Sequence, residues 1–396
     1  METLEELSVY IHIPFCLKRC GYCDFNTSVG LEHLIPIYVE SLIKEVSEVS
    51  EYFPVKPKVI TLFIGGGTPS IVSNKQYEML FAKIHNSFSV QNKSEISMEA
   101  NPGTITADYL VSMRKMGVNR LSLGAQSTDD QELRMLGRIH SREEVFESIK
   151  NARNANFHNI NIDLMYGLPF QELKTWNRSL EEIREINPEH ISLYALSIEK
   201  GTPFNEKIIK KELILPDADT AADMFDCSRE KLERFGYSHY EISNWAKRGF
   251  DCLHNKQYWY NNNYIGIGAG AHSQYNGVRY SNVVNLKKYI QMVKRGKSKV
   301  KPSVETFPVS SAISEVNILN IEERMQETMM LGLRLTEEGV SARKFNKRFG
   351  KDMREIFKDE IDELIKQDMV EWKKDSLKLT QRGQFIGNRA FLKFVQ

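Results

Sequence analysis

Three thiols fall within eight residues near the start of the chain, in the pattern Cys16-x-x-x-Cys20-x-x-Cys23. A loop carrying three thiolates can hold an iron–sulfur cluster, for which four cysteines are the usual complement. With three, one iron keeps an open coordination position for a small chelating molecule, by the logic that separates catalytic from structural zinc sites. The spacing leaves one alternative open, a structural zinc site of three cysteines and one histidine with His12 as fourth ligand. Cys227 and Cys252 stand alone, and an odd total of five makes no disulfide framework. Clustered thiols of this kind belong to a reducing compartment. One strand–helix unit downstream comes Gly65-Gly66-Gly67-Thr68-Pro69-Ser70. Without Cβ atoms, backbone N–H groups there can approach a ligand closely. Taken singly, Glu99 or Asp163 at the end of a β-rich run reads as a helix cap, and Arg138 as a solvated surface charge.

The elements that must position these residues are legible as an alternation. Six short β-rich runs, 8–13, 58–64, 95–100, 119–123, 159–165 and 190–196, sit beside Gly, Pro or Asn, as buried parallel strands do. Between them lie helical patterns, such as 34–50 and a segment opening at Thr106 with a capping hydroxyl. The pattern predicts an α/β fold of βαβ units with a parallel sheet, closed or partly closed as a (β/α)6 barrel, over residues 1–235, with its chemistry on the loops after the strands. Residues 236–300 read as an irregular wall rich in aromatics, Asn and Gly, and 301–320 as a linker. Residues 321–396 carry helical patterns closed by two short β-runs around Lys373-Lys374-Asp375, a winged-helix-like domain. Its acidic residues dilute the basic ones, which favours a packing or partner module over nucleic-acid binding.

Composition narrows the class. The chain has 396 residues, 41% hydrophobic and 27% charged, which excludes disordered and fibrous classes. Lys and Arg total 53 against 52 for Asp and Glu, so no global field recruits nucleic acid or an anionic membrane. No apolar stretch approaches the roughly 20 residues of a membrane span, and the first residues lack the pattern of a signal peptide. The expectation is a cytoplasmic protein.

A three-cysteine loop followed by a glycine triplet one βα unit later resembles the arrangement of radical S-adenosylmethionine (SAM) enzymes. The resemblance sharpens with Tyr10-Ile-His-Ile-Pro-Phe-Cys16, Tyr22-Cys23-Asp-Phe25, Glu99-Ala-Asn-Pro-Gly-Thr104, Leu123-Gly-Ala-Gln126, Leu136-Gly-Arg138-Ile-His140, Asp163-Leu-Met-Tyr-Gly-Leu-Pro169, His254-Asn-x-x-Tyr258-Trp259 and Gly268-Ala-Gly-Ala-His272-Ser273. Together they are similar to the oxygen-independent coproporphyrinogen oxidase group, and within it to the heme-chaperone branch. The resemblance implies a radical SAM barrel in which Cys16, Cys20 and Cys23 ligate a 4Fe–4S cluster. It implies that Tyr10, Tyr22, Gly66, Gly67, Thr68, Glu99, Gln126, Arg138 and Asp163 line a SAM site. There Glu99 can accept from the methionine ammonium, Arg138 can offer its fork to the carboxylate, and Gln126 and Asp163 can bind ribose hydroxyls.

The His254–Trp259 string adds heme. His254 is the candidate axial ligand, with Tyr258, Trp259, Tyr260 and Tyr264 as a flat aromatic wall. His272 and Cys252 are further candidates, and a buried structural histidine is the alternative reading of His254. The oxidase branch carries a fourth cysteine where this chain has Phe25, and a longer segment ahead of its first strand. Both departures fall on porphyrinogen chemistry. The resemblance therefore implies a chaperone that binds heme and hands it to hemoprotein acceptors, membrane-bound respiratory ones included, as against an oxidase making protoporphyrinogen IX from coproporphyrinogen III. Homodimerisation stays open.

Overall fold

Six of the β-rich runs become β1 (Glu6–Ile13), β2 (Lys58–Gly66), β3 (Ser89–Ala100), β4 (Arg120–Gln126), β5 (Ile160–Tyr166) and β6 (His190–Ala195). They pair in parallel in chain order, β1-β2-β3-β4-β5-β6. The computed structural model describes residues 5–296 and 307–395. Leu7, Val9, Ile11 and Ile13 of β1 are all fully buried, as expected of a parallel strand with one face in the barrel wall and the other under helices. Crossover helices such as Ile35–Ser50, Asn74–Ser87, Arg142–Asn154 and Leu173–Ile186 cover the outer face. Thr106 caps the helix Ala107–Lys115, its hydroxyl accepting from the Tyr109 N–H, as its place in the sequence predicts.

The sheet does not close on itself. After β6 come β7 (Ser238–Glu241) and β8 (Asn244–Ala246), antiparallel strands that extend the β6 edge. On the other edge β9 (Tyr264–Ile267) pairs in parallel with β1, followed by β10 (His272–Tyr275), β11 (Val278–Asn282) and β12 (Ile313–Ile318) in antiparallel order. The result is an open arc of twelve strands, a partial barrel. The described part of the expected wall, residues 236–296, thus holds strands of both sheet extensions together with the helices Leu253–Trp259 and Leu286–Arg295. Its strands are three to five residues long and interrupted by Asn and Gly, too short for an alternating pattern to stand out. Of the expected linker, 301–306 lies outside the described residues, and the remainder contains β12.

A single buried carboxylate ties this added edge to the barrel. Glu45, on the helix Ile35–Ser50, accepts from Gly268 N (2.9 Å), Asn282 Nδ2 (2.7 Å), Tyr289 OH (2.6 Å) and Ser310 Oγ (2.8 Å). Four donors from four separate segments converge on it, the arrangement that makes a buried acid tolerable. Burial still pushes its carboxyl up to about 7.

The chain ends in a smaller domain with its own core, including Met329, Phe345, Leu364, Leu377 and Phe394. Helices Ile321–Gly332, Ala342–Phe349 and Lys358–Lys366 pack on a three-stranded sheet of β13 (Val340–Ser341), β14 (Val370–Lys373) and β15 (Ser376–Leu379). The hairpin turns at Lys374 and Asp375. This domain is latched to the barrel through Glu338, which pairs with Lys256 at 2.6 Å and accepts from the Tyr260 hydroxyl at 2.8 Å. Among the described residues no helix is long and apolar enough to cross a membrane.

Candidate functional site

The C-terminal ends of β1 to β5 converge on one face, and the three-cysteine loop lies across it. The loop is anchored at both ends and in its middle. Cys16 N donates to Ser28 O at 2.9 Å and Ser28 N to Pro14 O at 2.6 Å, so the loop leaves and returns at one point. Gly21 N donates to Leu136 O at 3.2 Å while Gly21 O accepts from Phe204 N at 2.9 Å. A Cβ on Gly21 would sit 2.5 Å from the Phe204 ring, so only glycine fits this contact.

A cavity of about 330 Å³ opens beneath the loop. Its lining brings together Cys16, Cys20, Cys23, Tyr22, Gly66, Gly67, Thr68, Glu99, Gln126, Arg138 and Asp163, which fall in separate segments of the chain but are adjacent here. Tyr10 stands apart from this lining. It lies deeper in the barrel, stacked on Phe63, with its hydroxyl 2.9 Å from His12 Nδ1. A larger groove, about 1340 Å³, lies against the C-terminal domain and shares none of these residues.

The polar groups are held by one another. Arg138 donates to Asn101 Oδ1 (2.7 Å), to Gly124 O (2.6 Å) and to Cys20 Sγ (3.4 Å), which leaves its buried Nε without a partner. Asn101 in turn donates to Thr68 Oγ1 at 3.1 Å, and Thr68 donates to Cys16 Sγ at 3.5 Å. Two of the three thiols therefore receive hydrogen bonds from one connected network. Burial raises the thiols of Cys16 and Cys23, and the Thr68 hydroxyl works against that at Cys16. Asn101 lies inside the quoted Glu99–Thr104 string, yet its part as the bridge between Arg138 and Thr68 shows only in three dimensions.

Burial raises both acids of the cavity, Glu99 and Asp163. Glu99 Oε2 accepts from the Gly66 N–H at 2.9 Å. Burial and then the neighbouring Asp163 push its carboxyl up to about 7. Asp163 is also raised by burial, although Asn161 Nδ2 donates to it at 2.7 Å and Ser122 Oγ at 3.4 Å. A cationic ligand group between them would lower both, since opposite charge favours the ionised form. Gln126 sits at φ +69°, an uncommon conformation that re-aims the end of β4 into the cavity.

The glycine triplet does a different job from the one its sequence suggests. The N–H groups of Gly66, Gly67 and Thr68 are committed to Glu99, to Ile13 O (2.8 Å) and to Phe15 O (2.8 Å). They cannot also face a ligand. What glycine provides is closeness: a Cβ on Gly67 would lie 2.9 Å from Cys16 Sγ and 2.6 Å from Phe15 O. The end of β2 is thereby pressed against the cysteine loop.

These residues fit the iron–sulfur reading of the thiols better than the zinc reading. Both ring nitrogens of His12 are engaged, Nδ1 with Tyr10 OH and Nε2 with Asn26 O at 3.0 Å. Among the described residues no three His, Cys, Asp or Glu side chains converge on a single-ion position. Thiols spread around a cavity suit a multi-iron group, which Cys16, Cys20 and Cys23 would hold in the cavity that Arg138, Glu99 and Asp163 also line.

His254 lies in the floor of the barrel with both ring nitrogens engaged. It is 1% exposed, with Nδ1 2.8 Å from Thr61 Oγ1 and Nε2 2.8 Å from Tyr258 OH. Burial, with the charge of Arg120, pushes its imidazole down to about 3. Its backbone N–H and that of Leu253 donate to Glu95, at 3.1 and 2.9 Å, so the helix Leu253–Trp259 enters the barrel floor capped by a buried carboxylate. These contacts are those of a buried structural histidine, the alternative reading of His254. Cys252 is likewise buried, its thiol pushed up to about 12 by burial. The apolar periodicity of the sequence gave no sign of this polar floor of Glu95, Arg120, Asn161 and His190.

Comparison with known proteins agrees with this geometry. Residues 10–183 match the model of the Radical SAM superfamily, and residues 319–386 that of the HemN C-terminal domain. The chain is 36% identical to the heme chaperone HemW of Bacillus subtilis, over 98% of this chain and 99% of that protein. It is 34% identical to HemW of Lactococcus lactis, over 98% and 97% of the two chains. The chain belongs to the HemW family. A further HemW-family relative, from Escherichia coli, is 41% identical over 69% of this chain and 71% of its own length. Among solved structures, coproporphyrinogen III oxidase HemN of Escherichia coli superposes with a TM-score of 0.83, covering 99% of this chain and 90% of that one at 22% identity. That likeness establishes the shared fold: a radical SAM barrel followed by a HemN-type C-terminal domain.

Proposed function

We propose that this chain is a heme chaperone that holds a 4Fe–4S cluster and SAM, binds heme and passes it to hemoprotein acceptors. The observation that carries the reading is the single cavity in which three thiols meet Glu99, Arg138 and Asp163, in a chain that matches heme chaperones from end to end. Cys16, Cys20 and Cys23 would hold the cluster. Arg138, which lines the cavity, would meet a carboxylate, and Glu99 and Asp163 would meet an ammonium or hydroxyls. When bound, the cluster and SAM supply one-electron chemistry at the open iron. The protein's own share is to orient that ligand and to keep bulk water from the thiols.

Phe25 supports the chaperone over the oxidase. It stands where the oxidase branch has its fourth cysteine, and its side chain carries no acid, base or nucleophile. The acceptors we infer include membrane-bound respiratory hemoproteins, and the site of action is the cytoplasm, where five unpaired thiols suit a reducing compartment. The test is anaerobic incubation of the cluster-loaded protein with coproporphyrinogen III, SAM and a low-potential reductant. The reading expects no protoporphyrinogen over many turnovers. Sustained decarboxylation would replace it with the oxidase.

A further inference from the structure

A second cavity, of about 520 Å³, adjoins the first and shares Phe25, Gly66 and Glu99 with it. Its walls are largely aromatic and apolar: Tyr258 and Trp259 from the helix Leu253–Trp259, Tyr264 from β9, Ala271 before β10 and Leu331 from the C-terminal domain. Phe25 lines it as well, and at 65% exposure it is a large apolar ring left facing solvent. An exposed aromatic of this size beside an open apolar cavity marks a surface that expects to be covered.

Two imidazoles line this cavity, and they differ in one respect. His12 has both nitrogens engaged within the protein. His272, at the start of β10, is exposed, and no described residue hydrogen-bonds to its ring. The register of the hairpin explains its direction. Gln274 pairs with Arg279 across β10 and β11, and His272 lies two residues before Gln274, so all three project from one face into the cavity. That face is rigid, because Arg279 is clamped by Glu327 of the C-terminal domain at 2.7 Å and Gln274 Nε2 donates to Asn261 O at 3.2 Å.

An open cleft with flat aromatic walls, one free imidazole and an exposed ring at its rim matches a planar metallomacrocycle. The walls take the faces of the ring, the imidazole takes the metal, and charged substituents stay at the solvent mouth. We infer that heme binds in this second cavity with His272, not His254, as its axial ligand and Phe25 against its face. The inference rests on the chaperone reading and adds the site and the ligand. It also gives Phe25 a purpose. The residue that removes the fourth thiol of the oxidase branch supplies a stacking surface at the junction of the cofactor and heme cavities.

The test is a hemin titration of cluster-loaded wild type, His272→Ala, His272→Met and Phe25→Glu, followed by difference absorption and by electron paramagnetic resonance of the ferric heme. Wild type should bind with a histidine-ligated signature. His272→Ala should bind at least about tenfold more weakly and lose that signature, with added imidazole restoring it. His272→Met should bind with an altered signature, and Phe25→Glu should weaken binding while the iron ligand stays the same. The two His272 variants should keep the cluster absorption, since His272 does not line the cavity of the three thiols. Wild-type affinity and spectrum in His272→Ala would overturn the placement and leave the chaperone reading standing. A wild-type protein that binds no heme at all would overturn both.

Discussion

Glu99→Gln separates the demands of binding from those of stability at one atom pair. Glu99 faces the cofactor cavity, accepts from the Gly66 N–H at 2.9 Å, and is held at about 7 by burial and by Asp163, against an ordinary 4.5. A shift of that size costs the ionised form up to about 3 kcal/mol in the folded protein, and water entering the cavity trims this to about 2. The sign follows from the direction. A carboxyl raised on folding stabilises the fold fully below its unfolded value of 4.5, and that contribution is lost as pH climbs through 7. Glutamine is neutral throughout and keeps an oxygen for Gly66. In urea unfolding of the ligand-free protein at pH 5 to 8, the variant should match wild type at pH 5 and gain about 2 kcal/mol over it by pH 8. Glu45 and Glu241, which are also held at about 7, cancel in the difference. SAM binding at pH 8 should move the other way, weakening about tenfold or more for loss of a charge-assisted bond. Parallel pH profiles, or unchanged SAM affinity, would refute the placement of Glu99 as a buried acid facing the ligand.

Gly67→Ala should cost roughly 2 kcal/mol by forcing its Cβ onto Phe15 O and Cys16 Sγ, and iron content per chain should fall while far-UV circular dichroism stays native. Cys20→Ala should abolish the cluster absorption and leave the sheet intact, since Cys20 lies outside the strands and its thiol meets Arg138; retention of iron at wild-type levels would remove it as a ligand. Glu45→Ala should destabilise by about 2–4 kcal/mol in denaturant unfolding, because it strands the donors of Gly268, Asn282, Tyr289 and Ser310.

The parallel strands β1 to β6 were legible because a strand buried on both faces writes a continuous run of Val, Ile and Leu, and these runs are separated by clear helical stretches. Most of the lining of the cavity beneath the cysteine loop was legible too, since its residues fall at strand ends where a barrel gathers its loops. The short strands β7 to β11 were not, because three to five residues carry too little periodicity and their pairing is decided by distant partners. The parallel pairing of β9 with β1 joins residues about 250 positions apart, and no local pattern announces it. His254 misled for a related reason. An imidazole reads as a ligand until its partners are known, and both of its partners, Thr61 and Tyr258, are ordinary residues whose roles depend on packing. The glycine N–H groups misled in the same way: their acceptors lie on β1 and β3, far off in sequence. Sequence types set what a group can do, while its hydrogen-bond partners set what it is free to do.

The most direct test of the central claim is transfer itself. Cluster-loaded protein carrying one equivalent of heme would be mixed, with SAM, with an apo-hemoprotein of the respiratory chain in lipid vesicles, and the acceptor's holo spectrum followed in time. The account predicts that heme leaves this protein and appears in the acceptor faster than from free hemin at the same concentration. Heme that stays bound, or that reaches the acceptor no faster than from solution, would contradict it.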